Sequence, residues 1–395
     1  MPLPIDDRER YSRQVLFPGI GDRGQHLLAQ AHVAVIGVGA TGAATAGLLA
    51  RAGVGHLTLI DRDFVEPSNL QRQVLFDESD AQANLPKAEA ARLHLARINS
   101  STRITAHIAD LVPANIESLL GLPGDDNKPD LILDCTDNFE TRYLLNDLCV
   151  RDARPWIYAA AVGAYAATMN ILPAQSPGAP FMRSTWRMSG ELQTPEAGEY
   201  PGAPGLDSET WAGSPPTACL ACLFPQLPTG PTETCDTAGI LSTAVNLAAS
   251  IQVTEALKLL THQPHLLRRT LLSWDLWTPG GNGEIARAEI KASTPRPSCE
   301  VCGQRIFRHL AGTARPHITL CGRNSVQIHE HHRPLDLTAL QRRLQPLGET
   351  RATPHLLRFT HAPYTLTVFP DGRALIQGTT DTALARSLYA RFIGS

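Results

Sequence analysis

The chain has 395 residues, is 43% hydrophobic and 18% charged, and carries a formal net charge of −3. It is long enough for one large core and a smaller second domain, too apolar for disorder, and too neutral to suggest a nucleic-acid partner. No apolar run reaches membrane-spanning length, and the charged start MPLPIDDRERYSRQ lacks the apolar core of a secretory signal, so a cytoplasmic protein without a membrane partner is expected.

Ala31 to Val38 (AHVAVIGV) reads as a β-branched strand, the glycine-rich GVGATGAATAGLLARAGV turns helical, and GHLTLID is a second strand ending at Asp61. Lys87 to Ile98 reads as a helix, RITAHIAD as a strand, Asp130 to Asp134 as a buried strand, and about Phe139 to Arg151 as a helix. PWIYAAAVGAYAATMNIL reads as two more strands. This alternation predicts an α/β fold: a Rossmann-like mixed, mainly parallel sheet with helices on both faces. Eleven prolines between Pro173 and Pro231 interrupt the pattern and predict a Pro/Gly-rich excursion over about 173–231. A helix follows in DTAGILSTAVNLAASIQVTEALKLLT, then strands at Leu271–Trp277 and Glu284–Ile290. The expected first domain spans 1–306, with a linker over 307–316. Over 317–395 the pattern strand, helix, strands, helix predicts a small α+β C-terminal domain. A hairpin turn falls at Phe369-Pro370-Asp371-Gly372.

Gly37-Val38-Gly39-Ala40-Thr41-Gly42 is a G-x-G-x-x-G turn with a strand before it and a helix after. Gly37, Gly39 and Gly42 let the backbone approach a phosphate at a helix N-terminus, and Asp61, closing the next strand, suits ribose hydroxyls. The turn alone does not separate ATP chemistry from dinucleotide redox chemistry, so an NAD-dependent dehydrogenase stands as the alternative of another class. The next residues favour ATP. Asp61-Arg62-Asp63 leads to Asn69, Arg72 and Gln73, and Lys87 follows in LPKAEAAR. Hydride transfer does not need an Asn, an Arg and a Lys gathered there, whereas a triphosphate gaining charge in its transition state does. Asp63 and Gln73 complete the candidate nucleotide set. The strand DLILD ends in Asp134-Cys135-Thr136-Asp137-Asn138, at the sheet edge where ligands bind. Asp137 suits a magnesium ion bridging phosphates. Asp134 suits either a catalytic role or a cap on the following helix, and Cys135 and Cys149 read as small core residues.

Clustered cysteines in a reducing compartment read as metal ligands or catalytic thiols. Cys219-x-x-Cys222 and Cys299-x-x-Cys302 together match a tetrahedral zinc site. Cys235 has no partner in that set and precedes a helix, a position that lowers a thiol pKa. Cys321 reads as the end of a strand. His329, His331 and His332 read as solvated side chains rather than a metal site.

RYSRQVLFPGIG, GVGATG, LTLIDRDFVEPSNLQRQ, LPKAEAA, DCTDN, C-x-x-C, CDTAG and CEVCGQ follow one another from about Arg10 to Gln304. The series resembles the ThiF/MoeB/HesA family of ubiquitin-activating-enzyme-like adenylyltransferases. LCGRNSVQI, FPDGRALIQGTTD and ARSLYARFIG are similar to the extra C-terminal domain of its longer thiamin-pathway members. The resemblance implies an enzyme that uses ATP and Mg2+, with Zn2+ in the four-cysteine site. Its implied substrate is the Gly-Gly tail of a ubiquitin-like sulfur-carrier protein of the ThiS type, in thiamin thiazole synthesis. The molybdopterin carrier (MoaD type) or another sulfur carrier shares every motif and is the alternative. Residue by residue, the resemblance implies Asp61 on the ribose, Asn69, Arg72 and Lys87 on the phosphates, and Asp137 on the magnesium. Arg13 is implied to reach a neighbouring subunit's ATP site, and so a homodimer. Cys235 is implied to form a thioester or acyl-persulfide with the carrier, with a sulfur donor of the cysteine desulfurase type.

Overall fold

The computed structural model describes residues 7–122, 124–125, 127–174, 215–225, 238–281, 283–313, 318–321, 325–328, 334–353, 356–370 and 372–394. They belong to two compact units, one drawn from residues 1–230 and 240–311, the other from 231–239 and 312–395.

The first unit opens with helices α1 (Asp7–Val15) and α2 (Gly21–Gln30), then β1 (His32–Ile36), α3 (Ala40–Ala52) and β2 (His56–Asp61). Next come α4 (Glu78–Gln82), α5 (Lys87–Ile98), β3 (Arg103–Ile108), α6 (Ile116–Leu120), β4 (Leu131–Asp134) and α7 (Phe139–Arg151). They are followed by β5 (Trp156–Val162), β6 (Tyr165–Ile171), α8 (Leu220–Leu223), α9 (Ser242–Leu260), β7 (Thr270–Pro279) and β8 (Ile285–Lys291). The sheet has the order β3-β2-β1-β4-β5-β6-β7-β8. Pairs from β3 to β5 are parallel and those from β5 to β8 antiparallel.

Strand alternation sorts the core into two layers. Val33, Val35, Leu57 and Leu59 pack with residues of α3, α5 and α9, while Ala34, Ile36, Ile60 and Ile132 pack with α6, α7 and the segment 218–222. The mixed, mainly parallel sheet with helices on both faces is therefore present. From β1 the chain winds outward to β2 and β3, then returns to β4 on the other side of β1. The carboxyl ends of β1 and β4 thus flank a switch point, where doubly wound sheets open a ligand crevice.

Two boundaries differ from the sequence reading. The long helix begins only at Ser242, because Leu241 donates its N–H to the Gly163 carbonyl at 2.8 Å and Ile240 bridges to Gly163. Residues 307–311, the start of the expected linker, pack into the first unit. Phe307 and Leu310 join its core, and the His309 and Leu310 N–H groups bond the Asp147 carboxylate at 2.8 and 3.2 Å.

The second unit is an antiparallel sheet ordered β11-β12-β13-β14-β10-β9. Its elements are β9 (Ile318–Cys321), β10 (Ser325–Ile328), α10 (Leu337–Leu344), β11 (Glu349–Thr353), β12 (Leu356–His361), β13 (Tyr364–Val368), β14 (Ala374–Gln377) and α11 (Thr382–Phe392). Asp336 and Asp381 cap the two helices by accepting backbone N–H groups. One sheet face, with Phe359, Leu366 and Ile376, packs on Leu340, Leu388 and Phe392 of the helices. Cys321 ends β9, as expected. His329, His331 and His332 lie outside the described residues.

Candidate nucleotide site and thiolate cluster

The glycine turn leaves β1 at Gly37, which has φ +82° and stands against the Cys135 carbonyl at the end of β4. A Cβ there would lie 3.0 Å from that oxygen, so a side chain would push the two strand ends apart. At Gly42 a Cβ would lie 1.8 Å from the Gly37 carbonyl oxygen, so only glycine lets α3 start this close to the turn. Gly39 differs: the nearest atom to its Cβ position is Gln73 Nε2 at 3.8 Å. That backbone faces open space, as an approaching phosphate requires.

Asp61 is buried at the end of β2 and locks the turn in place. Its carboxylate accepts the Val38 N–H at 2.6 Å and the Asp63 N–H at 2.7 Å. Burial raises its pKa, against the opposing field of Lys87. Lys87, the first residue of α5, is also buried; its ammonium pairs with Asp63 at 3.1 Å.

A short 3-10 turn, Pro67–Asn69, carries the next candidates. The Asn69 side-chain oxygen accepts the Glu66 N–H at 3.1 Å, forming a capping box with Glu66. Its other end, Nδ2, is buried without a hydrogen-bond partner, and so is Oε1 of Gln73. Asn69 is 0% exposed and Gln73 3%. An orphaned buried polar atom costs about 1–3 kcal/mol, so two on one short segment fit a site that a polar ligand completes. Arg72 is buried in the turn that follows and donates to the Ser68 carbonyl at 2.8 Å.

Asp137 is exposed in the loop after β4. Asp134 does not cap the helix that follows: Asn138 does, by accepting the Thr141 N–H at 2.8 Å. The Asp134 carboxylate points instead to Arg142, at 3.1 Å, and to the Thr136 N–H and hydroxyl. Neither Arg142 nor Gln252 stood out in the sequence. Gln252 is fully buried on α9, donates to the carbonyls of Asp134 and Ile157 at 2.9 and 2.8 Å, and accepts from Thr45 and Cys135. A polar residue inside the apolar run AASIQVTEAL was the available signal.

Arg13 is not brought to this crevice. It is exposed on α1, whose Tyr11 hydroxyl accepts a bond from Asn99 at 2.8 Å while Asn99 also bonds the Ala50 carbonyl. That contact sits near the far end of α3, which at 1.5 Å per residue puts it about 15 Å from the glycine turn. Cys235 lies outside the described residues.

The cysteines of the two C-x-x-C pairs come together beneath α7. Cys219 lies 3.9 Å from Cys222 and 3.7 Å from Cys299, and Cys222 lies 3.3 Å from Cys302. All four sulfurs lie within 4.8 Å of one another. A tetrahedron with Zn–S bonds near 2.3 Å has edges of about 3.8 Å, so the thiols fit a zinc ion. The Arg296 N–H supports Cys222 Sγ at 3.3 Å, and hydrogen bonding to Cys219 holds the Cys299 thiol down at about 6. Cys135 and Cys149 are buried elsewhere in the core, where desolvation pushes both thiols up.

Fold and crevice together define an α/β protein with a nucleotide-type crevice and, apart from it, a four-cysteine cluster that could hold a metal ion. The sequence model of the ThiF family matches residues 11–301, and the chain belongs to that family. It is 38% identical over 389 residues to the sulfur carrier protein ThiS adenylyltransferase of Bacillus subtilis, covering 98% of this chain and 99% of that one. It is 30% identical over 373 residues to the adenylyltransferase and sulfurtransferase MOCS3-1 of Drosophila pseudoobscura pseudoobscura, covering 91% of this chain and 67% of that one. Among solved structures, E. coli MccB with ATP shares the fold, with a TM-score of 0.52, 21% identity and 74% of each chain covered. Among the described residues, no helix is long and apolar enough to cross a membrane.

Proposed function

We propose that this protein adenylates the C-terminal glycine carboxylate of a ThiS-type sulfur-carrier protein, for thiamin thiazole synthesis. A carboxylate oxygen of the carrier attacks the α-phosphorus of ATP. The bond from that phosphorus to the bridging oxygen breaks, and pyrophosphate leaves with the electron pair. Like charges oppose the approach, so the protein must supply cations and alignment. Arg72 and Lys87 are buried cations, and Asn69 and Gln73 end in orphaned polar atoms. Asp61 receives the ribose, with Asp63 as the carboxylate from which Lys87 turns to the phosphates. Gly37, Gly39 and Gly42 admit the phosphate chain to the N-terminus of α3. Magnesium, held by Asp137, would neutralise phosphate charge and orient the leaving group. Arg13 acts in the partner's site of a homodimer, and Cys235 displaces AMP from the acyl-adenylate: as a thiol it forms a thioester, and as a persulfide already charged by a desulfurase-type donor it forms an acyl-persulfide. Zinc at Cys219, Cys222, Cys299 and Cys302 holds structure.

The single observation that carries the reading is the pair of buried, unpartnered polar atoms on Asn69 and Gln73, with the Gln73 amide next to the open backbone of Gly39. The test is ATP–pyrophosphate exchange with a ThiS-type and a MoaD-type carrier. Exchange with the ThiS type, falling roughly 100- to 1,000-fold in Lys87→Ala and Arg72→Ala, is expected. Preference for the MoaD type would move the pathway and keep the chemistry. No exchange with either, together with nicotinamide reduction, would overturn the reading in favour of a dehydrogenase.

A further inference from the structure

Arg142 sits on the first turns of α7, 5% exposed, directly behind the loop 134–138. Its Nε donates to Asp134 Oδ2 at 3.1 Å, and its Nη2 donates to the carbonyls of Thr136 and of Ala159. The guanidinium carbon lies 4.8 Å from the Tyr158 ring centre and 5.3 Å from that of Phe139. Asp134 in turn accepts the Thr136 N–H at 3.0 Å and the Thr136 hydroxyl at 2.7 Å. From the other side, Gln252 holds the Asp134 carbonyl. Asn138 closes the loop by capping α7.

Four of the five residues in this loop are therefore fixed, and Asp137 is the one that faces solvent. A buried charge is expensive to keep unless its bonds are well made. Burial opposes the charge on Arg142, but the Asp134 and Asp137 carboxylates favour it, and its pKa stays above the usual arginine value. A rigid planar fork that grips a carboxylate and two carbonyls sets backbone geometry in a way that a point charge does not.

We propose that Arg142 is a positioning residue for adenylation: through Asp134 and the Thr136 carbonyl it sets the loop that presents Asp137 to the metal–phosphate group. The inference rests on the assignment of Asp137 to magnesium made above. Arg142 touches neither nucleotide nor carrier; it acts through Asp137. Outer-shell partners of metal ligands have this role, and their loss weakens metal binding roughly 10- to 100-fold.

The experiment titrates magnesium in the ATP–pyrophosphate exchange of the full-length protein with its carrier. The chains compared are wild type, Arg142→Lys, Arg142→Gln, Thr136→Val and Asp137→Asn, with zinc content and melting temperature measured on each. The half-saturating magnesium concentration is expected to rise roughly tenfold or more in Arg142→Gln. Arg142→Lys and Thr136→Val should shift it less, with the zinc content unchanged and the rate recovering at high magnesium. A uniform loss of rate at every magnesium concentration would show a merely structural role and overturn the inference. If Arg142→Gln does not fold, Thr136→Val decides by the same criterion. A shift in Asp137→Asn with none in the Arg142 and Thr136 variants overturns the inference alone. No shift in Asp137→Asn overturns it together with the magnesium assignment, whereas loss of exchange in wild type overturns the adenylation reading itself.

Discussion

The nucleotide crevice and the thiolate cluster are both buried polar sites, and they are finished to different degrees. In the crevice, Asn69 Nδ2 and Gln73 Oε1 have no partner, and Gly39 faces open space. In the cluster, each cysteine sulfur lies in contact with at least one other, and the four together are sized for one ion. A site for a ligand that comes and goes must leave donors and acceptors unmet, at a cost in stability. A site for a resident metal can be fully assembled, because ion and fold form together.

Three experiments press on that contrast. The largest effect is expected from Cys219→Ser or Cys299→Ser. Structural zinc contributes on the order of 10 kcal/mol, as much as a whole domain's stability. Metal analysis should fall from about one zinc per chain to near none, and thermal melting should lose its cooperative transition. A variant that melts like wild type would remove the structural role of the cluster.

Next come two glycines of the same turn. Gly42→Ala forces a methyl onto the Gly37 carbonyl and should cost about 1–3 kcal/mol or more of stability. Gly39→Ala has room, so its melting temperature should stay near wild type while the KM for ATP rises. Equal melting losses in both would show that the space at Gly39 is not held open for a ligand.

The smallest effect belongs to a carboxylate that neither site uses. Asp77 caps α4, and the Ser79 hydroxyl is the main cause holding its pKa below the usual range. A folded value below the unfolded 3.8 means that the stabilisation is full above 3.8 and is lost as pH falls through the folded value. Asp77→Ala should therefore melt slightly earlier at neutral pH, and the difference should close in strong acid. Zinc content and exchange should not change; a change in either would tie α4 to one of the two sites.

Much of the crevice was legible because its residues obey local rules. Gly37 needs a positive φ, Gly42 needs the absence of a side chain, and Asp61 ends a strand, so each leaves a sign at a fixed distance from its neighbours. The paired C-x-x-C spacing was legible for the same reason, since a thiolate pair on one turn supplies half of a tetrahedron. Asp134 was harder to place, because a carboxylate after a strand suits a cap or a catalyst equally well. Its real partner, Arg142, was hidden in the helix FETRYLLNDL as one charge among others.

By itself the sequence determined the order of strands and helices, the glycine turn and the supply of cations and thiols, because periodicity, backbone sterics and ligand chemistry act over short stretches. Only the tertiary structure decided what meets across long separations. It set β4 beside β1, turned Asp134 toward Arg142, and carried Arg13 away from its own crevice. Those outcomes depend on which faces pack and which buried charges find partners, and neither is written in any local pattern.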